Sequence, residues 1–361
     1  DMFSGGALSK FSIFAMSITP YINASIILQL LKVVVPTLEQ WSKEGEEGYK
    51  KTTKLTRMLT VALAFIQACG MAYGLRMAIN NPGIGSILLI ALTLTAGTVF
   101  RMWIGEQMTA RGVGNGISLI IFAGIVSRLP DGLRIIFQYL QAGTVNILNV
   151  ILFAAIALAM IVFVIMISQG IRKIPVQYAK RVVGKKAYGG HTSYIPLKVN
   201  TAGVIPIIFA SSVLMFPVTI AQFVDVPWVK TLGKWFEWGS PVQTTLYVLM
   251  ILFFTYFYTA VSFNIGDLSD NIKKNGGFIP GLRPGKPTTD YLDRVMSRIT
   301  LAGAIFLSLI ALMPHAIGWM TRIEGIYFGG TALLIVVGVA LDTMKQIESL
   351  VLMRHYHGFM K

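Results

Sequence analysis

Long apolar runs recur along this 361-residue chain, and polar residues gather between them. Each run has roughly 20 residues, which as an α-helix is long enough to cross a hydrocarbon layer of about 30 Å. The pattern therefore predicts an all-α polytopic membrane protein. Its nine expected spans cover residues 11–31, 58–75, 84–104, 117–138, 147–168, 199–223, 242–263, 299–319 and 326–348.

Two of these spans share a motif built around a proline. Residues 20–25 read PYINAS and residues 206–211 read PIIFAS, so both have the form P-x-I-x-A-S. Since proline lacks the N–H group that a continuous helix uses, both spans are expected to be interrupted at membrane depth. A second match, GISLII at 116–121 with GTALLI at 330–335, indicates an internal duplication with a pathway between the halves. Chance matching among Ile- and Gly-rich membrane helices is the alternative.

Composition and charge restrict the class of protein. Hydrophobic residues make up 54% of the chain, charged residues 13%, and the mean hydropathy is +0.66, which excludes an ordinary soluble domain. The net charge of +15 suggests either nucleic acid or a membrane surface as partner. Alternate connections hold 24 and 6 Lys and Arg residues, with Lys10 left over. The positive-inside rule then predicts a cytoplasmic C-terminus, and a nucleic-acid function is unnecessary.

The predicted spans lack the residues that most membrane enzymes and ion-coupled carriers need. Outside the span at 117–138, which contains Arg128 and Asp131, no Asp, Glu, Lys or Arg lies in their central turns, although ion-coupled carriers place ionisable groups there. A secondary transporter and a membrane-embedded enzyme remain rival hypotheses, and the sequence disfavours both. Phosphate-binding loops, zinc-type His spacings and nucleophile elbows are missing from the sequence, and Cys69 is its single cysteine. We expect no enzyme activity, no cofactor and no metal site.

Two connections are too long and too patterned to be simple linkers. Residues 169–199 contain two β-prone runs around a Gly-Lys-Lys turn, which predicts a hairpin that projects into the cytoplasm. Within residues 264–294, three prolines and two glycines stiffen a turn that carries Arg283 and Lys286. Rigid basic tips are typical of docking surfaces. The alternative is that cytoplasmic loops simply need Lys and Arg.

Isoleucines mark a possible constriction along the pathway. Ile18 and Ile22 stand four residues apart on one helix face, and Ile117 and Ile121 repeat this spacing. A narrow apolar collar stays dry when closed and offers a passing chain nothing adhesive. Ordinary membrane-core filling is the alternative interpretation. Two uncharged polar residues, Gln67 and Asn200, are candidates for weak bonds across a helix seam.

Several long motifs resemble the bacterial SecY family of protein-conducting channels. They read ITPYINASIILQLL, WIGEQMTARGVGNGISLIIFAGIV, YAKRVVGKK, PLKVNTAGVIPIIFASS, FIPGLRPGKPT and YFGGTALLIVV, and the resemblance covers essentially the whole chain. It implies two inverted five-helix halves, with the first helix missing from this sequence. Residues 1–10 are then the end of a plug segment, 11–140 the N-terminal half with four of its five helices, and 141–361 the C-terminal half. The connection at 76–85 is shorter than is usual in the family.

The same resemblance assigns roles to particular residues. The pore ring falls on Ile18, Ile22, Ile117, Ile121, Ile208 and Ile335; the plug on Phe3, Ser4, Gly5, Gly6, Ala7 and Leu8; and the lateral gate on Gln67 and Asn200. Arg283, Lys286, Lys180, Arg181, Lys185 and Lys186 are expected to form the docking surface.

The resemblance also implies what the protein does and where. We expect a channel that moves unfolded secretory polypeptides across the bacterial plasma membrane and releases apolar segments sideways into lipid. Its expected partners are the SecE and SecG subunits, the SecA ATPase or the ribosome as driving machine, and a polypeptide that carries a signal sequence.

Overall fold

A computed structural model provides the architecture. It describes residues 6–7, 11–76, 79, 83–178, 181–183, 186–188, 192–223, 235, 240–321 and 330–358. Most of these residues are helical, and five short β-strands lie in the connections. The first six helices are α1 (Thr19–Val34), α2 (Pro36–Lys43), α3 (Glu46–Gly74), α4 (Ile84–Arg111), α5 (Gly116–Val126) and α6 (Leu129–Gln141).

Six more helices and the strands follow. Helix α7 (Ile147–Gln169) leads into β1 (Ile171–Tyr178), β2 (Arg181–Val183), β3 (Lys186–Tyr188) and β4 (Thr192–Lys198). The remaining elements are α8 (Ile205–Phe223), α9 (Pro241–Ser262), α10 (Ile265–Lys274), β5 (Gly277–Phe278), α11 (Lys286–Thr321) and α12 (Gly330–Gly358).

In the part of the chain that the structure describes, fewer helices are long and apolar enough to cross a membrane than the nine that the sequence predicts. Among the described residues, α3, α4, α7, α9 together with α10, and α11 meet this description. Helices α1 and α2, which are bent by 106° at their junction, would make a sixth span. The count of nine continuous spanning helices is therefore not confirmed.

Three predicted spans differ from the structure for identifiable reasons. Residues 11–18 form turns instead of the first part of a helix, so α1 begins only at Thr19. The span predicted at 117–138 is divided into α5 and α6, because Pro130 occupies the first turn of α6 and cannot continue the helix before it. The sixth span begins at α8, after bends and turns over residues 199–204.

The two repeated prolines start helices instead of interrupting them, which corrects the expectation from the sequence. Pro20 is the second residue of α1, and Pro206 is the second residue of α8. The first-turn N–H groups of a helix have no partner inside the helix, so proline there removes no bond. The glycines of the other repeated motif behave alike, since Gly116 begins α5 and Gly330 begins α12.

The largest apolar cluster lies where the two predicted halves of the chain meet. Helices α1 and α3 contact α8, and α5 contacts α12. The cluster draws its buried side chains from α1, α5, α7, α8, α9, α11 and α12. A hydrogen bond of 2.7 Å from the Gly114 N–H to Gln346 Oε1 ties the α4–α5 turn to α12. The core of the protein is therefore a contact between halves.

The two long connections fold together as one unit. Strands β1 and β4 pair antiparallel, which confirms the predicted hairpin, and β2 pairs with β3 further out. Strand β5 from the second connection adds to β1, where Gln177 pairs with Phe278, giving the sheet order β4-β1-β5. We call this unit, with α10 and the first turns of α11, the loop platform. Its buried centre includes Ile174, Val176, Leu197, Ile272 and Leu292.

Removing the central side chain of the loop platform tests whether this unit depends on its own core. Leu292 is fully buried (0% exposed), so Leu292→Ala is expected to lower the free energy of unfolding by about 2–5 kcal/mol. Leu301, on the same helix and 46% exposed, is the matched control, and its change to Ala should stay within about 0.5 kcal/mol. Thermal unfolding of the purified protein measures both. Equal effects of the two substitutions would contradict the prediction.

Candidate functional site

All six predicted ring isoleucines lie in one apolar cluster, which we call the isoleucine cluster. Four of them are buried and belong to the cluster itself, and two are partly buried and pack against it. They come from α1, α5, α8, α12 and the residue before α1, so both halves of the chain contribute. The buried four are Ile18, Ile22, Ile121 and Ile335, and the other two are Ile117 and Ile208.

These isoleucines occupy matching positions in paired helices. Ile22 is the fourth residue of α1, as Ile208 is of α8. Ile121 is the sixth residue of α5, as Ile335 is of α12. The six isoleucines therefore lie at or next to the N-terminal turns of four helices, where the duplicated motifs lie. Their ring role remains a prediction, because it depends on what passes between them.

Helix N-termini expose polar N–H groups, and the structure shows how one of these termini is capped. Asn115 precedes α5, and its Oδ1 accepts hydrogen bonds from the N–H groups of Ile117 (3.1 Å) and Ser118 (3.3 Å). An Asn at this position satisfies first-turn donors that the helix itself cannot. The first turn of α5 can then present isoleucine side chains with two of its donors already bonded.

Charge is excluded from the interior around the cluster. No Asp, Glu, Lys or Arg is buried among the residues whose side chains the structure describes. In the same part of the chain, no group of three or more His, Cys, Asp or Glu is placed to hold a metal ion. An apolar constriction disfavours water and ions because it cannot replace their hydrogen bonds.

The two predicted gate residues do not bond to each other. Asn200 Nδ2 donates to the Gly203 carbonyl oxygen at 3.2 Å, and Asn200 Oδ1 is buried without a hydrogen bond among the described residues. Gln67 is partly buried on α3, which contacts α8. The structure therefore places Gln67 on a helix that contacts α8 and Asn200 in the turns before α8, and it shows no hydrogen bond between them. Their gate role stays a prediction.

A buried amide on α9 was missed by the sequence analysis. Gln243 is only 3% exposed, and its Oε1 has no hydrogen bond among the described residues. Tyr247, one turn further along the same face, is 2% exposed and belongs to the isoleucine cluster. The signal was present, because a Gln and a Tyr four residues apart open an otherwise apolar run.

The structure describes only part of the predicted plug. Gly6 has a positive φ of 90°, and the Arg128 guanidinium lies so close that a Cβ on Gly6 would stand 2.8 Å from Arg128 Nη2. The Ala7 carbonyl oxygen accepts a hydrogen bond from the Ser12 N–H at 3.0 Å. Phe3, Ser4, Gly5 and Leu8 lie outside the described residues, and the plug role stays a prediction.

Two of the six predicted docking residues are well placed for contact. Arg283 and Lys286 are exposed at the end of the loop platform. The turn has positive φ angles at Gly281 (81°) and Gly285 (107°), and the Arg283 carbonyl oxygen accepts from Thr288 Oγ1 at 2.8 Å. The Arg283 backbone thus lies between two glycines with positive φ, and its carbonyl group is held by a hydrogen bond. Arg181 and Lys186 lie in β2 and β3, but their side chains, like all of Lys180 and Lys185, lie outside the described structure.

Solved structures show the same arrangement of helices. One described as the structure of a protein-conducting channel aligns with a TM-score of 0.65 at 19% identity, covering 93% of this chain and 81% of its own. Sec61 in a canine ribosome-channel complex from the endoplasmic reticulum aligns with a TM-score of 0.60 at 17% identity, covering 93% and 81%. The fold is therefore that of the protein-conducting channels.

The family within this class follows from sequence comparison. The SecY family model matches residues 12–344. Protein translocase subunit SecY of Halalkalibacterium halodurans is 50% identical over 100% of this chain and 87% of its own length. The subunit of the same name from Escherichia coli K12 is 45% identical over 100% of this chain and 84% of its own. The chain belongs to the SecY family, which confirms the resemblance noted in its motifs.

The unbonded amide on α9 can be tested by a change of similar volume. Gln243→Leu removes a buried amide whose Oε1 has no hydrogen bond among the described residues, so it is expected to raise the free energy of unfolding by about 1–3 kcal/mol. Gln138→Leu on the exposed side of α6 is the control and should change it by about 0.5 kcal/mol or less. Thermal unfolding compares the variants. A lower melting temperature for Gln243→Leu would contradict the absence of a bonding partner.

Proposed function

We propose that this chain is the channel subunit of a bacterial protein translocase, and that unfolded polypeptides cross the plasma membrane through its isoleucine cluster. The observation that carries the proposal is the uncharged cluster at four helix N-termini from both halves of the chain. Relatives that bear the name protein translocase subunit SecY support it. The chain is not an enzyme in this proposal, so a partner must supply the energy.

The isoleucine cluster suits a passage for polypeptides. An extended chain presents many different side chains and backbone groups in succession, and charged or hydrogen-bonding walls would retain some of them. Isoleucine walls make only short-range, non-directional contacts. The same walls exclude water when no polypeptide is present. One set of residues can thus both seal the passage and let a chain slide.

Entry of a signal sequence would separate the halves along the seam between α1 and α3 on one side and α8 and α9 on the other. Asn200 Oδ1 and Gln243 Oε1 form no hydrogen bond among the described residues, so opening this seam breaks few polar bonds. Apolar segments of about 20 residues would leave sideways through it, because their burial in lipid is favourable. The plug, at residues 3–8, would move outward at the same time.

The expected topology belongs to this proposal. Nine spans follow from the apolar runs, and the distribution of Lys and Arg gives a first span that runs from outside to inside and a cytoplasmic C-terminus. In this arrangement the loop platform faces the cytoplasm.

The loop platform is the proposed docking surface for the SecA motor or the ribosome, with SecE and SecG as companion subunits. Arg283 is exposed on a turn whose backbone is held by a hydrogen bond. The turn therefore loses little backbone conformational freedom when a partner binds. A solved Sec61 structure of the same fold is described as part of a ribosome-channel complex, which supports a cytoplasmic partner.

Disulfide crosslinking tests the route through the cluster. In a Cys69→Ser background, Ile22→Cys and Ile208→Cys are each expected to crosslink to a single cysteine in a stalled secretory polypeptide. Leu158→Cys, at a position 67% exposed on α7, is the control and should not crosslink. Gel analysis under non-reducing conditions measures the adducts. Continued export without adducts at either isoleucine position would exclude the cluster from the route.

Charge reversal tests the docking turn. Arg283→Glu is expected to slow ATP-dependent export about tenfold, which corresponds to roughly 1.4 kcal/mol, while the melting temperature stays unchanged. Lys274→Glu, an exposed position in the same connection, is the control for a general loss of positive charge. Export assays with inverted membrane vesicles give the rates. Equal slowing by both variants would show that Arg283 has no specific role.

A further inference from the structure

The segment between the plug residues and α1 is held in a conformation that its sequence does not favour. Residues 11–17, which we call the hinge segment, are mostly apolar and continue the pattern of α1, yet they form successive turns. Phe11 and Ser17 have positive φ angles of 42° and 53°. Side chains other than glycine adopt this region at an energetic cost, and such strain persists only where surrounding contacts impose it.

Helix α4 contacts the backbone of the hinge segment directly at a glycine. A methyl group built on Gly97 would overlap the Ile13 carbonyl oxygen and would stand 2.9 Å from Ile13 Cγ2. No other residue type fits there unless the hinge segment or the helix moves. Gly97 therefore allows the two backbones to touch.

The next residues of the hinge segment fill a groove lined by small side chains. Ala15 and Met16 are 4% and 6% exposed. The groove runs between α3 and α4, and its side chains pack with Ala15 and Met16 in one buried cluster. Its buried members are Ala64, Ala68, Ala91 and Leu94.

An aromatic contact completes the attachment. The Phe14 ring stacks on Phe100 with a centroid distance of 6.4 Å. The Arg101 guanidinium carbon lies over the same Phe14 ring, 4.8 Å from its centroid, which is within the range of a cation–π interaction. We call Gly97, the groove and this aromatic pair the hinge seat.

We propose that Gly97 is a positioning residue for the closed channel: the hinge seat holds the hinge segment in its strained turns and thereby fixes Ile18 and the described plug residues Gly6 and Ala7. This inference rests on the proposed function, because it concerns the closed and open states of that channel. Ile18 follows Ser17 at one end of the hinge segment, and at the other end the Ser12 N–H donates a hydrogen bond to the Ala7 carbonyl oxygen. Leaving the seat would release the strain at Phe11 and Ser17 and would free Ala7 to move.

The strain gives the hinge segment two competing states. Seated, it has the contacts of the groove and the two unfavourable φ angles. Released, it loses those contacts, but the chain can relax towards a continuation of α1, since its apolar residues do not oppose a helix. A small loss of contact at the seat therefore shifts the population towards release, as in other two-state elements.

The experiment measures how accessible the plug is in the absence of transport. Ala7→Cys is introduced into the intact channel complex in a Cys69→Ser background, and the complex is placed in proteoliposomes. The rate of modification by a membrane-impermeant maleimide is then compared among Gly97 variants. We expect Gly97→Val to raise this rate about tenfold and Gly97→Ala to raise it less, because the added groups push the hinge segment from the seat.

Two further variants separate the seat from a general loss of packing. Gly85→Ala lies on the same helix with no atom within 4 Å of the added methyl group, and it should leave the rate unchanged. Phe14→Leu adds nothing to the seat and removes the aromatic contact, so it should raise the rate even if Gly97→Val fails to assemble. An unchanged rate for Gly97→Ala and Phe14→Leu in folded complexes would overturn the proposal. The crosslinking test of the ring does not depend on this result.

Discussion

Apolar side-chain contact among the N-terminal turns of α1, α5, α8 and α12 is the interaction on which the rest of the structure depends. It joins the two halves of the chain and supplies the largest buried cluster. A helix N-terminus carries unpaired donors, so building a dry contact there requires that these donors be bonded or absent. Asn115 bonds two of them on α5, and Pro20 removes one from α1. The duplicated motifs are where this requirement is met.

Much of the architecture followed from patterns that act locally. Apolar length and the family motifs predicted a helical membrane protein, and the β-prone runs predicted the hairpin of β1 and β4. The isoleucine spacing together with the family resemblance predicted which side chains the structure brings together. The prediction that Pro20 interrupts a helix was wrong, because a missing N–H group is equally compatible with a kink and with a helix start. The residues before Pro20 decide between these two possibilities, because they form turns and not a helix.

The remaining differences arise from contacts between residues far apart in sequence. Residues 11–17 have a helical pattern, but Gly97 on α4 accepts their backbone in another conformation. The pairing of Gln177 with Phe278 joins two connections that the sequence analysis treated as separate. Gln243 and Tyr247 mark one face of α9 in the sequence, but the burial of an amide on that face comes from packing against other helices. In each case tertiary packing overrides the local signal.

The equivalent placement of Ile22 and Ile208, and of Ile121 and Ile335, bears on the direction of transport. Ile18 and Ile117, in contrast, have Val204 and Thr331 at the matching positions of the other half. In the proposed channel, the two matched isoleucine pairs can give a polypeptide no preferred direction. Direction would then come from the parts in which the halves differ, including the loop platform and whatever machine binds it.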